Sequence, residues 1–312
     1  MKSFKLNVVV PAYNEALTLP ELIRQLTHIL SDFNYEIIIV NDGSSDNTLD
    51  VLKELHKQNN RVQYLSFSRN FGHQSALRAG LNYAQCDCVI MMDADLQHPV
   101  NLIPDMIKLW QGGAEIVNTI RQENQNQSWL KRKTSNLFYK ILNYMTEINV
   151  PKGAADFRLL DKKVLEVIKN TPERNLFFRG YVNWMGYNQV NIPYQVGKRF
   201  AGKSSYTLKK MMALAWSGIT SFGIMPLRLA SLLGFLTTAI GFLYACYVLY
   251  MKIFTDTYVV SGWASVLVSV LIIGGIQLII IGILGEYLGL IYLETKHRPL
   301  YIVSETSIRN NR

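Results

Sequence analysis

Two long stretches in the C-terminal third of the chain, residues 229–251 (LASLLGFLTTAIGFLYACYVLYM) and residues 257–285, hold no charged residue. A helix needs about 20 consecutive apolar residues to cross a hydrocarbon core of about 30 Å, and both runs reach that length. A core helix of a soluble protein is usually shorter and keeps one polar stripe, so two adjacent runs of this kind predict a pair of membrane-spanning helices. The rest of the 312 residues must then fold as a separate body attached to that hairpin. Lys198, Arg199, Lys203, Lys209, Lys210 and Arg228 precede the first run, Lys296 and Arg298 follow the second, and only Lys252 lies between. Because cytoplasmic loops carry the excess of Lys and Arg, both termini are expected in the cytoplasm, with a short loop outside. Residues 204–226 mix Tyr206, Met211, Met212, Leu214 and Trp216 with Lys209 and Lys210. They read as a helix lying in the membrane interface, its lysines reaching towards phosphates. No signal peptide precedes the first apolar run, which agrees with an N-terminal body kept in the cytoplasm at the cell membrane.

That body alternates strand and helix. Residues 6–10, 36–40, 62–67, 87–92 and 115–119 are short apolar runs, several rich in Val and Ile. Thr18-Leu19-Pro20-Glu21 has the form of a capping box, followed by Leu22, Ile23, Leu26, Ile29 and Leu30 at helical spacing. Ser44-Ser45-Asp46 is placed to cap a helix with its apolar face at Leu49, Leu52 and Leu55, and residues 71–84 and 102–110 supply two more helices. Repeated strand–helix units predict an α/β fold with a mainly parallel sheet and helices on both faces. Ligands of such sheets bind beyond the carboxyl ends of the strands. The polar sequences fall there: Pro11-Ala12-Tyr13-Asn14-Glu15, Asn41-Asp42-Gly43-Ser44, Ser68-Arg69-Asn70 and Asp93-Ala94-Asp95. No GxGxxG follows the first run, so the usual dinucleotide fingerprint is absent.

A formal net charge of +9 points to an anionic partner: a phosphorylated ligand, an acidic membrane surface or nucleic acid. There is no zinc-finger spacing and no aromatic–basic RNA signature, so no nucleic-acid partner is expected. Cys86, Cys88 and Cys246 form no disulfide framework and read as small buried residues in a reducing compartment. Asp93 and Asp95, two residues apart at a strand end, can aim at one point once the chain turns. A hard divalent cation, Mg2+ or Mn2+, takes oxygens from such carboxylates and from a diphosphate together, and Gln97 can add an amide oxygen. The plainer alternative is a solvated acidic turn; the position after the fourth strand favours the metal.

VVVPAYNE (8–15), NDGSSDNT (41–48), SRNFGHQSALRAGL (68–81), MDADLQHP (92–99), ADFRLLD (155–161) and KRFAGKSSY (198–206) together resemble glycosyltransferase family 2. The likeness is to its polyprenyl-phosphate branch, the dolichyl-phosphate mannose synthase-like and bactoprenol glucosyltransferase-like enzymes. With the two apolar runs it covers nearly the whole chain. It implies a GT-A-type catalytic domain at 1–203, an interfacial amphipathic segment at 204–226, a transmembrane hairpin at 227–289 and a cytoplasmic tail at 290–312. It also implies that Pro11, Tyr13 and Glu15 contact the nucleoside, Asp42 the base or ribose, and Asp93 the ribose and diphosphate. Asp95 and Gln97, with Asp93, would hold the metal. Arg69 and His73 are either phosphate contacts or polar residues at a helix start.

The implied reaction is inverting transfer of a hexose from a nucleotide-sugar to a polyisoprenyl phosphate. UDP-glucose is the first choice of donor, ahead of UDP-N-acetylglucosamine and GDP-mannose. Such an acceptor is already anionic, so cationic positioning matters more than a strong base. Arg121, Arg132, Arg199 and Lys203 are the candidates, with Arg199 gripping the phosphate, while Lys131 and Lys133 read as solvated charges. Asp156 matches the family position opposite the donor sugar. Orienting the acceptor, binding the sugar and acting as a nominal base all remain open for it, and a buried salt bridge with Arg158 is the competing explanation. A processive polysaccharide synthase is disfavoured by the absence of Gln-x-x-Arg-Trp. A tethered transferase acting on a glycan or protein hydroxyl, and a non-enzymatic nucleotide-sugar-binding scaffold, are the remaining rivals. A homo-oligomer is left open.

Overall fold

The structure, a computed structural model, describes residues 4–122, 153–173, 178–195, 223–254 and 262–308. They form an α/β unit, which includes residues 298–308, and a helical unit of residues 223–254 and 262–297.

The apolar runs become strands β1 (Lys5–Ala12), β2 (Asn34–Asn41), β3 (Val62–Phe67), β4 (Cys88–Met91) and β5 (Ile116–Arg121). Helices α1 (Leu19–Ile29), α2 (Thr48–Gln58), α3 (His73–Tyr83) and α4 (Ile103–Gln111) connect them. β1 to β4 are apolar almost throughout because both faces of the sheet are covered. Val8, Val10, Ile37 and Ile39 join Leu22 and Leu26 of α1, Leu52 of α2 and Met106 of α4 in one core. α3 lies against the opposite face, so closely that a Cβ on Gly80 would fall 2.3 Å from Val9 Cγ1. Glycine is what allows that approach.

Three strands carry no comparable sequence signal: β6 (Ala154–Asp161), β7 (Gln189–Tyr194) and β8 (Val303–Thr306). The eight-stranded order is β7-β5-β6-β4-β1-β2-β3-β8. Pairs β1–β2, β2–β3, β1–β4 and β5–β7 are parallel, while β6 runs antiparallel to β4 and β5, and β8 antiparallel to β3. The sheet is mainly parallel but mixed. Helices α5 (Lys162–Asn170) and α6 (Phe178–Trp184) follow β6. Asp161 caps α5, accepting from the Lys163 backbone N–H at 2.9 Å.

The capping box expected at Thr18 does not form. Thr18 Oγ1 donates to the carbonyl and to Oε2 of Glu15, at 3.1 and 2.6 Å, while Glu21 accepts from Arg24 and Gln25. The N-cap of α2 is Asn47, which makes no side-chain cap hydrogen bond, rather than one of the three residues expected there; Asp46, just before it, accepts from the Thr48 backbone N–H at 3.1 Å.

In the helical unit, α7 (Met225–Phe254) and α8 (Trp263–Thr295) contain stretches, Met225–Val248 and Val268–Thr295, long and apolar enough to cross a membrane. α8 continues well past Gly285, through Glu286, so the helix outlasts its uncharged run. The segment from residue 290, expected as a cytoplasmic tail, has regular structure of its own. It finishes α8 and then returns to the α/β unit as β8. The edge of β3 draws it in: Ser68 N–H donates to the Ile302 carbonyl at 3.0 Å, Tyr301 stacks on Phe67 with ring centres 5.0 Å apart, and Glu305 accepts from the Tyr64 hydroxyl at 2.8 Å.

Candidate active site

The carboxyl ends of β1, β2 and β4 deliver the polar motifs to one rim. Pro11 is not itself on the surface: it is buried within β1, opposite Val40, and packs inside the sheet. Tyr13, just beyond the strand, is 47% exposed. Asn14 adopts a left-handed φ of 57° and ties two loops together, its N–H donating to Ser44 Oγ and its Oδ1 accepting from the Ser45 N–H, each at 2.9 Å. Glu15 follows, its N–H donating to Thr48 Oγ1 at 3.0 Å.

Asp42 is almost completely enclosed. Its carboxylate accepts from the backbone N–H of Phe71 at 2.7 Å and of Gly72 at 3.0 Å. Burial lifts its pKa above the ordinary carboxylate value, and the two amides oppose that lift. Asp42 thus organises the turn that starts α3 and presents His73. Arg69, in the same turn, is exposed, with its guanidinium 4.1 Å above the Phe71 ring.

The acidic pair follows β4. Leu96 takes a left-handed φ of 59°, and the turn it makes is closed by the Gln97 N–H donating to Asp95 Oδ1 at 3.1 Å. His98 is buried, stacked on Phe157 at 5.1 Å, and its Nδ1 accepts from the Asp93 N–H at 3.1 Å. The proton of a neutral His98 is thereby assigned to Nε2, which lies 3.7 Å from Asp93 Oδ2. Asp93 Oδ1 is buried without a hydrogen bond, 3.5 Å from His73 Nε2. Among the described residues, no three or more His, Cys, Asp or Glu side chains are arranged to hold a metal by themselves. Two carboxylates and an amide, one oxygen without a hydrogen bond, instead fit a hard cation that completes its shell with oxygens of a bound diphosphate.

Opposite this pair stands Asp156. Because β6 is antiparallel to β4, Arg158 pairs with Met91 and the first residues of β6 lie beside the end of β4. Alternation along the strand puts Phe157 in the core and Asp156 and Arg158 on the other face. Asp156 is only 5% exposed, and Arg179 of α6 donates to it twice, Nε to Oδ1 at 3.0 Å and Nη2 to Oδ2 at 2.8 Å. The hydrogen-bonded partner is Arg179, whereas the competing explanation for Asp156 had named Arg158. Burial alone would raise the Asp156 pKa, but Arg179, with help from Arg158 and His73, holds it well below the usual range. Arg158 is 1% exposed, with Nε and Nη1 unpartnered, and burial lowers its pKa to about 10 against the pull of Asp156. His73 Nε2, 3.9 Å from Asp156 Oδ2, spans the space between Asp156 and Asp93.

Arg121 ends β5, exposed and opposite Tyr194 of β7. The buried Tyr194 hydroxyl lies in the field of Arg121, Arg179, Asp93 and Asp95 together, and burial raises its pKa. Arg121 and the acidic pair thus act on the same buried hydroxyl. Arg132, Arg199 and Lys203 lie outside the described residues. Sequence reading missed Arg179, His98 and Tyr194. Arg179 left a signal as a lone cation inside the aromatic stretch Phe178-Arg179-Gly180-Tyr181, and His98 stood within MDADLQHP without being given a role; Tyr194 left none.

Residues 7–169, which include the rim of β1, the acidic pair and Asp156, match Glycosyl transferase family 2. The chain belongs to this family. The glycosyltransferase is 44% identical to the uncharacterised glycosyltransferase YkcC of Bacillus subtilis over 309 residues, 98% of this chain and 95% of that one. It is 41% identical to the bactoprenol glucosyl transferase of Shigella phage SfV over 305 residues, 96% of this chain and 98% of that one. Among solved structures it is similar to glucosyl-3-phosphoglycerate synthase from Mycobacterium tuberculosis in complex with Mn2+, UDP-glucose and phosphoglyceric acid. That similarity is 17% in sequence, with a TM-score of 0.48 over 70% of this chain and 78% of that one.

Proposed function

We propose that this glycosyltransferase moves a hexose, glucose first, from a nucleotide-sugar to a polyisoprenyl phosphate at the cytoplasmic face of a membrane, inverting the anomeric centre. The observation that carries the reading is the reach of the likeness to the phage SfV bactoprenol glucosyl transferase. At 41% identity it runs over 96% of this chain and so takes in the apolar helices as well as the α/β unit. The two helices and that likeness together support membrane association. Tyr13, the exposed aromatic on the rim, stacks on the base of the donor, with Glu15 beside it. Asp42 serves the nucleoside through the turn it holds. Asp93, Asp95 and Gln97 would hold Mg2+ or Mn2+ with the donor diphosphate, and such a cation supplies charge neutralisation as the sugar–phosphate bond breaks. Arg121, Arg132, Arg199 and Lys203 receive the acceptor phosphate.

The hydroxyl-acceptor alternative needs a general base with a pKa near the working pH. Asp156, enclosed and held below the usual range by Arg179, is poorly suited to that task. A phosphate acceptor makes no such demand. The test is to incubate membranes carrying the protein with radiolabelled UDP-glucose, UDP-N-acetylglucosamine and GDP-mannose and to extract the lipid. Label from UDP-glucose in a polyprenyl phosphate fraction is expected. Label confined to glycan or protein would overturn the reading.

A further inference from the structure

Asp156 and Arg179 form a two-pronged pair in which the cation is the more open member: the Arg179 side chain is 29% exposed, whereas Asp156 is almost completely enclosed. Both oxygens of the carboxylate accept from Arg179, and Oδ2 also lies 3.9 Å from His73 Nε2. Arg158, on the same face of β6, adds a second buried guanidinium close enough to act on Asp156. One carboxylate is thus shared by two guanidiniums, and the part-exposed Arg179 is the member that offers a cationic face at the mouth of the pair. His73 Nε2, 3.9 Å from Asp156 Oδ2 and 3.5 Å from Asp93 Oδ1, links this pair to the acidic turn.

We infer that Arg179 contacts the anionic phosphate of the acceptor and that Asp156 acts through it, as the residue that positions the guanidinium. This rests on the phosphate-acceptor reading above. An oxygen of the acceptor phosphate forms the new bond to the anomeric carbon of the donor sugar as the bond from that carbon to the nucleoside diphosphate breaks. The electron pair leaves with the diphosphate, and no proton moves to Asp156.

The experiment uses the full chain in detergent, with a short-chain polyprenyl phosphate and the donor identified by the lipid-labelling assay. It measures acceptor kcat/KM, donor Kd by equilibrium binding, and the pH profile. Arg179→Ala is expected to lower acceptor kcat/KM about 100-fold, the loss of a paired charge-assisted contact, with donor Kd within about threefold. Arg179→Lys retains the charge opposite Asp156 but not the planar fork, and is expected to lose about tenfold. Asp156→Asn is expected to slow transfer by one constant factor across the pH range, since no proton transfer is removed. Unmutated acceptor kinetics in Arg179→Lys, or in a folded Arg179→Ala, overturn the inference. So does a donor Kd that weakens in step with the rate, which would assign Arg179 to the donor diphosphate. An unmutated enzyme that labels no polyprenyl phosphate overturns the phosphate-acceptor reading itself, and the inference with it.

Discussion

Gly43 and Asp42 are neighbours with opposite constraints. Asp42 is fixed by what it binds, Gly43 by what it must avoid: its φ is +63°, and a Cβ there would fall 2.2 Å from the Arg69 carbonyl carbon. Gly43→Ala is therefore expected to cost about 1–3 kcal/mol in thermal or denaturant unfolding, because backbone rather than a flexible side chain must move. Asp95→Ala removes a carboxylate from the acidic turn without touching the core. Turnover is expected to vanish while the unfolding midpoint stays put, and full activity of either protein in excess EDTA would contradict the metal assignment. Asp156 gives a pH signature. Its folded pKa lies below the ordinary 3.8, so its contribution to stability is complete above that value and is lost as pH falls through the folded one. The stability gap between the unmutated protein and Asp156→Asn should be level from neutrality to about pH 4 and shrink below it. A gap that widens on acidification would contradict the pairing with Arg179.

β8 is the element whose role extends furthest beyond its length. Without it, β3 would present an open edge, the usual template for unwanted strand pairing. Lys53 and Glu305 pair at 2.9 Å across it, and Tyr301 lies flat on Phe67. Because Ser68 N–H is held by Ile302, the segment after α8 also steadies the start of the turn that runs from Ser68 to His73. Tyr301→Ala is expected to cost about 1–3 kcal/mol and to promote aggregation of the solubilised protein, read by unfolding and light scattering. Burial, with Glu305 as partner, pushes the Tyr64 hydroxyl up to about 12 from 10.0. Its stabilising share is therefore complete below pH 10.0 and is lost as pH rises through about 12. Glu305→Gln lowers the folded value towards 10.0, so the stability gap between the two proteins should be level below pH 10.0 and shrink as pH rises through about 12.

For the whole molecule, the Lys and Arg counts on either side of the apolar runs bear on which side of a membrane the site occupies. With Cys246 replaced, a cysteine introduced at Thr255 should react with an impermeant maleimide added to intact cells, and one at Asn310 should react only after permeabilisation. The reverse pattern would overturn the proposed topology. Both cysteines of the α/β unit are poor reagents: burial pushes the Cys86 thiol up to about 12 and raises Cys88 as well. Background labelling from them should be slow at neutral pH.

The signals that local sequence carries were enough for much of this protein. Five apolar runs of strand length, the helical periodicities between them, two uncharged stretches and an Asp-x-Asp after the fourth run are each properties of a few consecutive residues. The five strands and the four helices between them form close to where those residues predict them, because both-face burial and helix amphipathicity are set by neighbours in the chain. What the tertiary structure decided depends on residues far apart. β6 enters antiparallel between β4 and β5, and β8 reaches β3 from the far end of the chain, through Tyr64 and Ser307, which are 243 residues apart. Neither strand has an apolar pattern that announces its partner. Asp156 finds Arg179 rather than Arg158 because a guanidinium two residues along the same strand runs parallel to the carboxylate, while one on a packed helix can meet it end-on with two hydrogen bonds. Glu21 turns to Arg24 rather than to the helix start because that salt bridge satisfies both of its oxygens. Sequence by itself determined the first five strands, the helices between them and the polar residues at their ends; only packing decided which charges face one another, because that choice is made by geometry across the fold.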